Sequence, residues 1–243
     1  MTRRSVWAAT DVGLIRSSNE DSYGLPGRIS SGQTREAWQG ELLTNTGWAV
    51  IADGMGGHEG GEIASHAVVE TFYRLAVRAS TEANIVGILE EANAQIYTRV
   101  AAGFGRAGMG STIVGVSFRD YRCFVFNVGD SRVYLKRKGE LRQLSTDDTL
   151  RSRTGSRSHA LTQSLGGARA PLPIFPHVAS HKVQPEDEIV LCSDGLSDMI
   201  SEEQIRLLLD RGNVHPALAL VDAAVAAGGR DNVTAIVIGP EPD

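Results

Sequence analysis

STIVGVSFRDYRCFVFNVGDSRVYLKRKGELRQL, residues 111–144, is the stretch on which the fold turns. Strand-like apolar runs lie at Ser111–Arg119, Tyr121–Val128, Arg132–Lys138 and Leu141–Leu144, and Arg137-Lys138-Gly139-Glu140 reads as a hairpin turn. Strands joined by turns this short must pair antiparallel, because a parallel pair needs a crossover of roughly a dozen residues or more. Outward from this stretch, similar runs lie at Val6–Val12, Thr46–Ala52, Glu188–Cys192 and Asn232–Ile238.

Four helices are predicted between them. Ala64, Ala67, Val68, Phe72, Leu75 and Ala76 form one apolar stripe at helical spacing. Ile85, Ile88, Leu89, Ala92 and Ile96 form another behind a Thr81 cap. A third helix opens on the capping box Ser201-Glu-Glu-Gln204 and stops before Gly212. The fourth starts at Pro216 and stops at Gly228-Gly229. Strands, two helices, strands, two helices and a strand predict an α/β protein of the α+β kind, with helix pairs covering antiparallel sheets. No βαβαβ rhythm supports a doubly wound parallel sheet. The stretches 26–45 and 146–160 read as irregular surface loops. Residues 1–243 are expected to form a single domain, with a short flap segment at about 146–160.

Composition narrows the function. A formal charge of −5 argues against a nucleic-acid-binding surface, which needs a basic face. No run approaches a membrane span, and the N-terminus carries no signal-peptide core, so a cytoplasmic protein is expected. Cys123 and Cys192 sit in apolar runs without CxxC spacing and read as buried free thiols.

The chemistry lies in acids at the edges of apolar runs. WAVIAD ends in Asp53, FVFNVGD in Asp130 and EIVLCSD in Asp194, while Asp231 opens DNVTAIVI. Each alone reads equally as a turn residue. If they converge, two carboxylates about 5 Å apart repel by roughly 3 kcal/mol at an effective dielectric near 20. Only Arg132 and Arg230 lie adjacent, so a multivalent cation is the economical partner, and an all-oxygen ligand set favours Mg²⁺ or Mn²⁺ over Zn²⁺. The glycine-rich run after Asp53 has no βαβ unit behind it and lacks the Gly-Lys-Ser/Thr of a P-loop. It reads as a turn that offers the Gly54 carbonyl to a metal. In Arg16-Ser-Ser-Asn-Glu-Asp-Ser22, Arg16 could fork onto a phosphate while Glu20 and Asp21 hold metal-bound waters; a solvated turn is the alternative.

With these residues in hand, the sequence resembles the metal-dependent protein phosphatases of the PP2C (PPM) type, in their compact bacterial form. The resemblance rests on RSSNEDS (16–22), ADGMGGHEGGEIAS (52–65), MGSTIV (109–114), VGDSRVYL (128–135), LTQSLGG (161–167), CSDGLSDM (192–199) and GGRDNVTAIV (228–237). It implies a four-layer α-β-β-α sandwich of two antiparallel sheets flanked by helix pairs. It implies that Asp53 bridges two metals, with the Gly54 carbonyl on one and Asp194 and Asp231 on the other. A third metal would lie on Asp130 and Asp194, Arg16 would bind substrate phosphate, and Glu20 would reach a metal through water, with Asp21 behind.

The implied activity is hydrolysis of phosphoserine and phosphothreonine in proteins by a hydroxide bridging two of two or three Mg²⁺ or Mn²⁺ ions. The expected partners are phosphorylated substrates of a Ser/Thr kinase, with neither nucleic acid nor membrane, and the chain is expected to be a monomer. A phosphoprotein-binding pseudo-enzyme is the rival of a different class, and intact aspartates argue against it. Two departures stand out. Met55 occupies a position where human-type members carry a histidine proposed as general acid, and the flap is shortened to the basic RSRTGSRSH.

Overall fold

A computed structural model of the chain describes residues 2–56, 60–119, 122–151 and 157–241. The chain opens with β1 (Arg3–Asp11), β2 (Asp21–Leu25), β3 (Arg28–Ser31), β4 (Arg35–Leu43) and β5 (Trp48–Met55). Then come α1 (Gly61–Leu75), a 3₁₀ turn at Ala76–Arg78, and α2 (Glu82–Ala101). The second run of strands is β6 (Gly110–Ser111), β7 (Ile113–Arg119), β8 (Arg122–Val128), β9 (Arg132–Arg137) and β10 (Glu140–Gln143). Next are β11 (Thr149–Arg151), β12 (Arg157–Leu161), β13 (Leu165–Gly166), β14 (His177–Lys182) and β15 (Glu188–Cys192). The chain finishes with α3 (Asp194–Ser197), α4 (Glu202–Asp210), α5 (Pro216–Ala226) and β16 (Val233–Ile238).

Two large sheets result, one ordered β10-β9-β15-β16-β1-β4 and the other β13-β6-β5-β7-β8-β14, with β2 and β3 added beside β5. Every pairing among the described residues is antiparallel. Side-chain alternation sends each central strand into two cores. Trp48, Val50 and Ala52 of β5 pack with Val68, Phe72, Ile85 and Leu89 of α1 and α2. Ala49 and Ile51 turn the other way, into a core built from strands of both sheets and no helix. Val233, Ala235 and Val237 of β16 pack with Leu196, Ile205 and Leu220 of α3 to α5. Three cores separate four layers, as the resemblance implies.

The helix starts follow the sequence signals. Thr81 caps α2 through a hydrogen bond from the Asn84 N–H at 3.2 Å. Ser201 and Gln204 close a reciprocal capping box at α4, and Pro216 takes the first turn of α5. Among the described residues, no helix is long and apolar enough to cross a membrane. Cys123 and Cys192 are buried free thiols.

The stretch 26–45 differs from its expectation. It contains β3 and the nine-residue edge strand β4. Charges at Arg35, Glu36 and Glu41 mask the alternation there, and nine register pairs with β1 hold the strand in place. Similarly, β2 and β14 are strands because β5 and β8 pair with them, not because their own patterns demand it. The stretch 146–160 contains β11 and β12. Residues 152–156 of the expected flap lie outside the described residues.

Candidate active site

A cleft of about 580 Å³ opens where several strands end, and Arg16, Glu20, Asp53, Gly54, Asp130, Asp194 and Asp231 all line it. Asp53 lies near the end of β5. Its backbone N–H donates to Thr112 Oγ1 at 3.1 Å, and its carbonyl accepts from the Thr112 N–H at 2.9 Å and from Ser111 Oγ at 3.0 Å. Three bonds to the neighbouring strand fix the direction of the carboxylate. Asp130 follows β8, Asp194 begins α3 straight after β15, and Asp231 precedes β16.

Two glycines are required by close approach. A Cβ on Gly195 would sit 2.0 Å from the Asn232 carbonyl oxygen, so only glycine lets α3 press against the segment that carries Asp231. A Cβ on Gly54 would sit 2.1 Å from the Gly61 carbonyl oxygen and 2.7 Å from that of Glu20. Backbone oxygens therefore crowd around Gly54, whose own N–H donates to the Glu20 carbonyl at 3.2 Å.

Arg16 stands exposed on the loop between β1 and β2, donating from Nη2 to Asp231 Oδ2 at 2.7 Å. That hydrogen bond raises the guanidinium further above its ordinary value. Asn232 ties the loop down. Its Nδ2 donates to the Val12 and Ser18 carbonyls, each at 2.9 Å, and its Oδ1 accepts from the Glu20 N–H at 2.8 Å. One amide therefore fixes both ends of the segment bearing Arg16 and Glu20.

Asp21 does not line the cleft. It is 2% exposed and lies behind the cleft, in register with Asp53. Its Oδ2 accepts from Thr234 Oγ1 at 2.6 Å and Ser193 Oγ at 2.8 Å, while its buried Oδ1 has no hydrogen-bond partner. Ser193 Oγ also accepts from the Thr234 N–H at 3.0 Å, so the hydroxyl is committed to structure on both sides.

The electrostatics show how closely the acids gather. Burial, reinforced by Asp21, Asp194, Asp231 and Asp130, pushes the Asp53 carboxyl well above the usual range. Burial also lifts Asp130 to about 7, with Asp194 adding to it. Asp21 is raised to about 7 by burial, against the pull of its two hydroxyl donors, with further repulsion from Asp194 and Asp231. Arg16 is the one cation lining the cleft among the described residues.

These residues fit divalent cations. The acids lining the cleft, Glu20, Asp53, Asp130, Asp194 and Asp231, all offer hard oxygens, the donors such ions prefer. Among the described residues, no three His, Cys, Asp or Glu side chains close into a tight ligand set. Repulsion between uncompensated carboxylates opposes such closure. Mg²⁺ in any case keeps several waters and takes few protein ligands directly.

The family model described as protein phosphatase 2C matches residues 28–225. The chain belongs to the protein phosphatase 2C family. It is 31% identical over 95% of its length to the Mycobacterium tuberculosis serine/threonine protein phosphatase PstP, and spans 44% of that protein. It is 30% identical to the serine/threonine phosphatase stp of Listeria welshimeri, covering 94% of this chain and 93% of that one. The crystal structure of M. tuberculosis PstP superposes with a TM-score of 0.80 at 29% identity, covering 98% of this chain and all of that one. A PstP catalytic domain in complex with two manganese ions superposes with a TM-score of 0.78 at 29% identity, over the full length of both.

Within this protein phosphatase 2C fold, the cleft gathers every residue singled out from the sequence except Asp21. The sequence reading missed Thr112, Asn232 and Thr234, which aim and brace the acids. Asn232 had a detectable signal, a polar amide opening an otherwise apolar strand. It also assigned no role to the cleft wall formed by Leu161–Gln163, Gly166–Ala168, Leu172 and Pro173.

Proposed function

We propose that the chain is a metal-dependent phosphatase acting on phosphoserine and phosphothreonine in proteins. The observation that carries this reading is the convergence of Asp53, Asp130, Asp194 and Asp231 on one cleft beside Arg16. Asp53 would serve two ions, the Gly54 carbonyl one of them, and Asp194 and Asp231 the other. Asp130 with Asp194 would hold a third, and Glu20 would act through water. Bound there, two or three Mg²⁺ or Mn²⁺ ions supply Lewis acidity and a water of lowered pKa.

The chain's own groups do the rest. Arg16, now on Asp231, exchanges that carboxylate for phosphoryl oxygens when substrate enters and offers them a fork of N–H donors. Asn232 keeps Arg16 from swinging away, because both ends of its loop hang on one amide. Asp21 holds the Ser193 and Thr234 hydroxyls and so sets the spacing of the strands that carry Asp194 and Asp231. No side chain of the chain acts as nucleophile. Met55 lines the cleft without a proton to give, and a metal-bound water would be the proton donor.

The four layers form one catalytic module, working as a monomer on phosphorylated protein substrates of a Ser/Thr kinase in the cytoplasm. The test is hydrolysis of p-nitrophenyl phosphate and a phosphothreonine peptide with Mn²⁺. Activity abolished by a chelator and by Asp53→Ala is expected; activity indifferent to either would overturn the reading.

A further inference from the structure

The cleft has two kinds of lining. Its floor is carboxylate and guanidinium, but one wall comes from a single segment, residues 161–173, and carries Leu161, Ala168, Leu172 and Pro173. Leu172 is 58% exposed, and Phe175, two residues past the wall, is 74% exposed. Large aliphatic and aromatic side chains left in water beside a cleft mark a surface that something covers.

The segment is also fastened. Asn93 of α2 donates from Nδ2 to the Leu172 carbonyl at 3.0 Å and accepts at Oδ1 from the Gly166 N–H at 2.8 Å. Tyr97 donates to the Gly166 carbonyl at 3.1 Å. Gln163 grips Phe175 twice, accepting from its N–H at 3.0 Å and donating to its carbonyl at 3.0 Å. Gln163 also donates to the buried Asp148, whose carboxylate in turn accepts from the Gly129 N–H, next to Asp130. The backbone polar groups are thus satisfied from behind, while the apolar side chains of Leu172 and Phe175 project into solvent. A surface ordered before binding avoids the entropic cost of ordering on contact.

Resting on the phosphatase reading, we propose that this ledge selects substrates. Leu172, with Pro173 and Phe175, receives an apolar side chain of the phosphoprotein close in sequence to the phosphorylated residue. The occupant is polypeptide, since the ledge adjoins the cleft that takes the phosphate. An apolar flank would cover Leu172, whereas an acidic side chain packed on Leu172, Pro173 and Phe175 would lose hydration against apolar groups. The exposed Arg169 of the same segment is the cation such a flank would have to reach instead.

The experiment compares kcat/KM for phosphothreonine peptides that differ only in leucine or glutamate at each position within three of the phosphothreonine. Hydrolysis of p-nitrophenyl phosphate by the same enzyme runs alongside. At one or more positions leucine is expected to be favoured about tenfold, the worth of a buried aliphatic group. In Leu172→Asp the leucine-to-glutamate ratio should fall to about one, and Phe175→Asp should lower it less. Both side chains are exposed, and the ratio is taken within each variant, so a general loss of activity does not affect it. A wild-type enzyme indifferent to the flank, or a preference that survives in both variants, overturns the ledge while leaving the phosphatase reading standing. Absence of p-nitrophenyl phosphate hydrolysis overturns both.

Discussion

Strand β15 carries an acid beyond each of its ends, and the chain treats the two in opposite ways. Before it, Asp187 is fully buried and closed on all sides. Arg137 forks onto both of its oxygens at 2.7 Å, and the Gln184 N–H donates at 2.7 Å. The neighbouring Lys136 reaches Glu188 at 2.6 Å. After it, Asp194 faces Asp53 and Asp130, whose carboxyls its charge helps to push up. Even Arg132, close by, is spent on Asp147 at 3.0 Å. At one end of β15, β9 therefore supplies a cation to each acid, while at the other end acids crowd one another. On the phosphatase reading, the acids gathered at the cleft, which push one another's carboxyls up, are the place for charge from outside.

The comparison can be broken at several points. The largest effect belongs to the cleft end. Asp194→Asn should lower kcat with Mn²⁺ by about a thousandfold, if the ions supply some 4 kcal/mol of charge stabilisation. A phosphatase assay showing a loss below tenfold would mean that Asp194 is not a ligand. Next comes the compensated end. Asp187→Ala leaves Arg137 without its partner and should cost about 3 kcal/mol, or roughly 10 °C in Tm for a chain of this size. Thermal melts with an unchanged midpoint would remove the contrast.

Mn²⁺ should raise the melting temperature by an amount equivalent to about 2.7 kcal/mol at a hundred times its dissociation constant. Asp130→Asn should lose part of that gain. The last effect is one of pH. Asp21 and Asp130 titrate near 7 in the fold and near 3.8 as ordinary carboxyls, so the folded state holds their protons more tightly. Their contribution to stability is complete below about pH 4 and lost as pH rises through 7. The metal-free protein should therefore melt higher at pH 5.5 than at pH 8, and saturating Mn²⁺ should shrink or reverse the difference.

Much of this was legible in the sequence because apolar alternation is local. β5, β7, β8, β9, β15 and β16 carry their own signal, and so do the capped helices. What was not legible depends on partners distant in the chain. β4 reads as a loop until β1 lies beside it. The acids could be counted from strand ends, but their support could not. Asn232 bonds to Val12 and Ser18 across more than two hundred residues, and Asp21 to Thr234 likewise. No spacing rule links such positions. The ledge escaped notice for another reason: leucine, proline and phenylalanine in a row look like core until their exposure is seen.

The order of strands carries a consequence in time. β16 lies between β15 and β1, and Asp231 and Asn232 come immediately before it. A growing chain cannot complete the six-stranded sheet, place Asp231 or lock the Arg16 loop until β16 has left the ribosome. On the phosphatase reading, the cleft is therefore complete only once that strand inserts between β15 and β1.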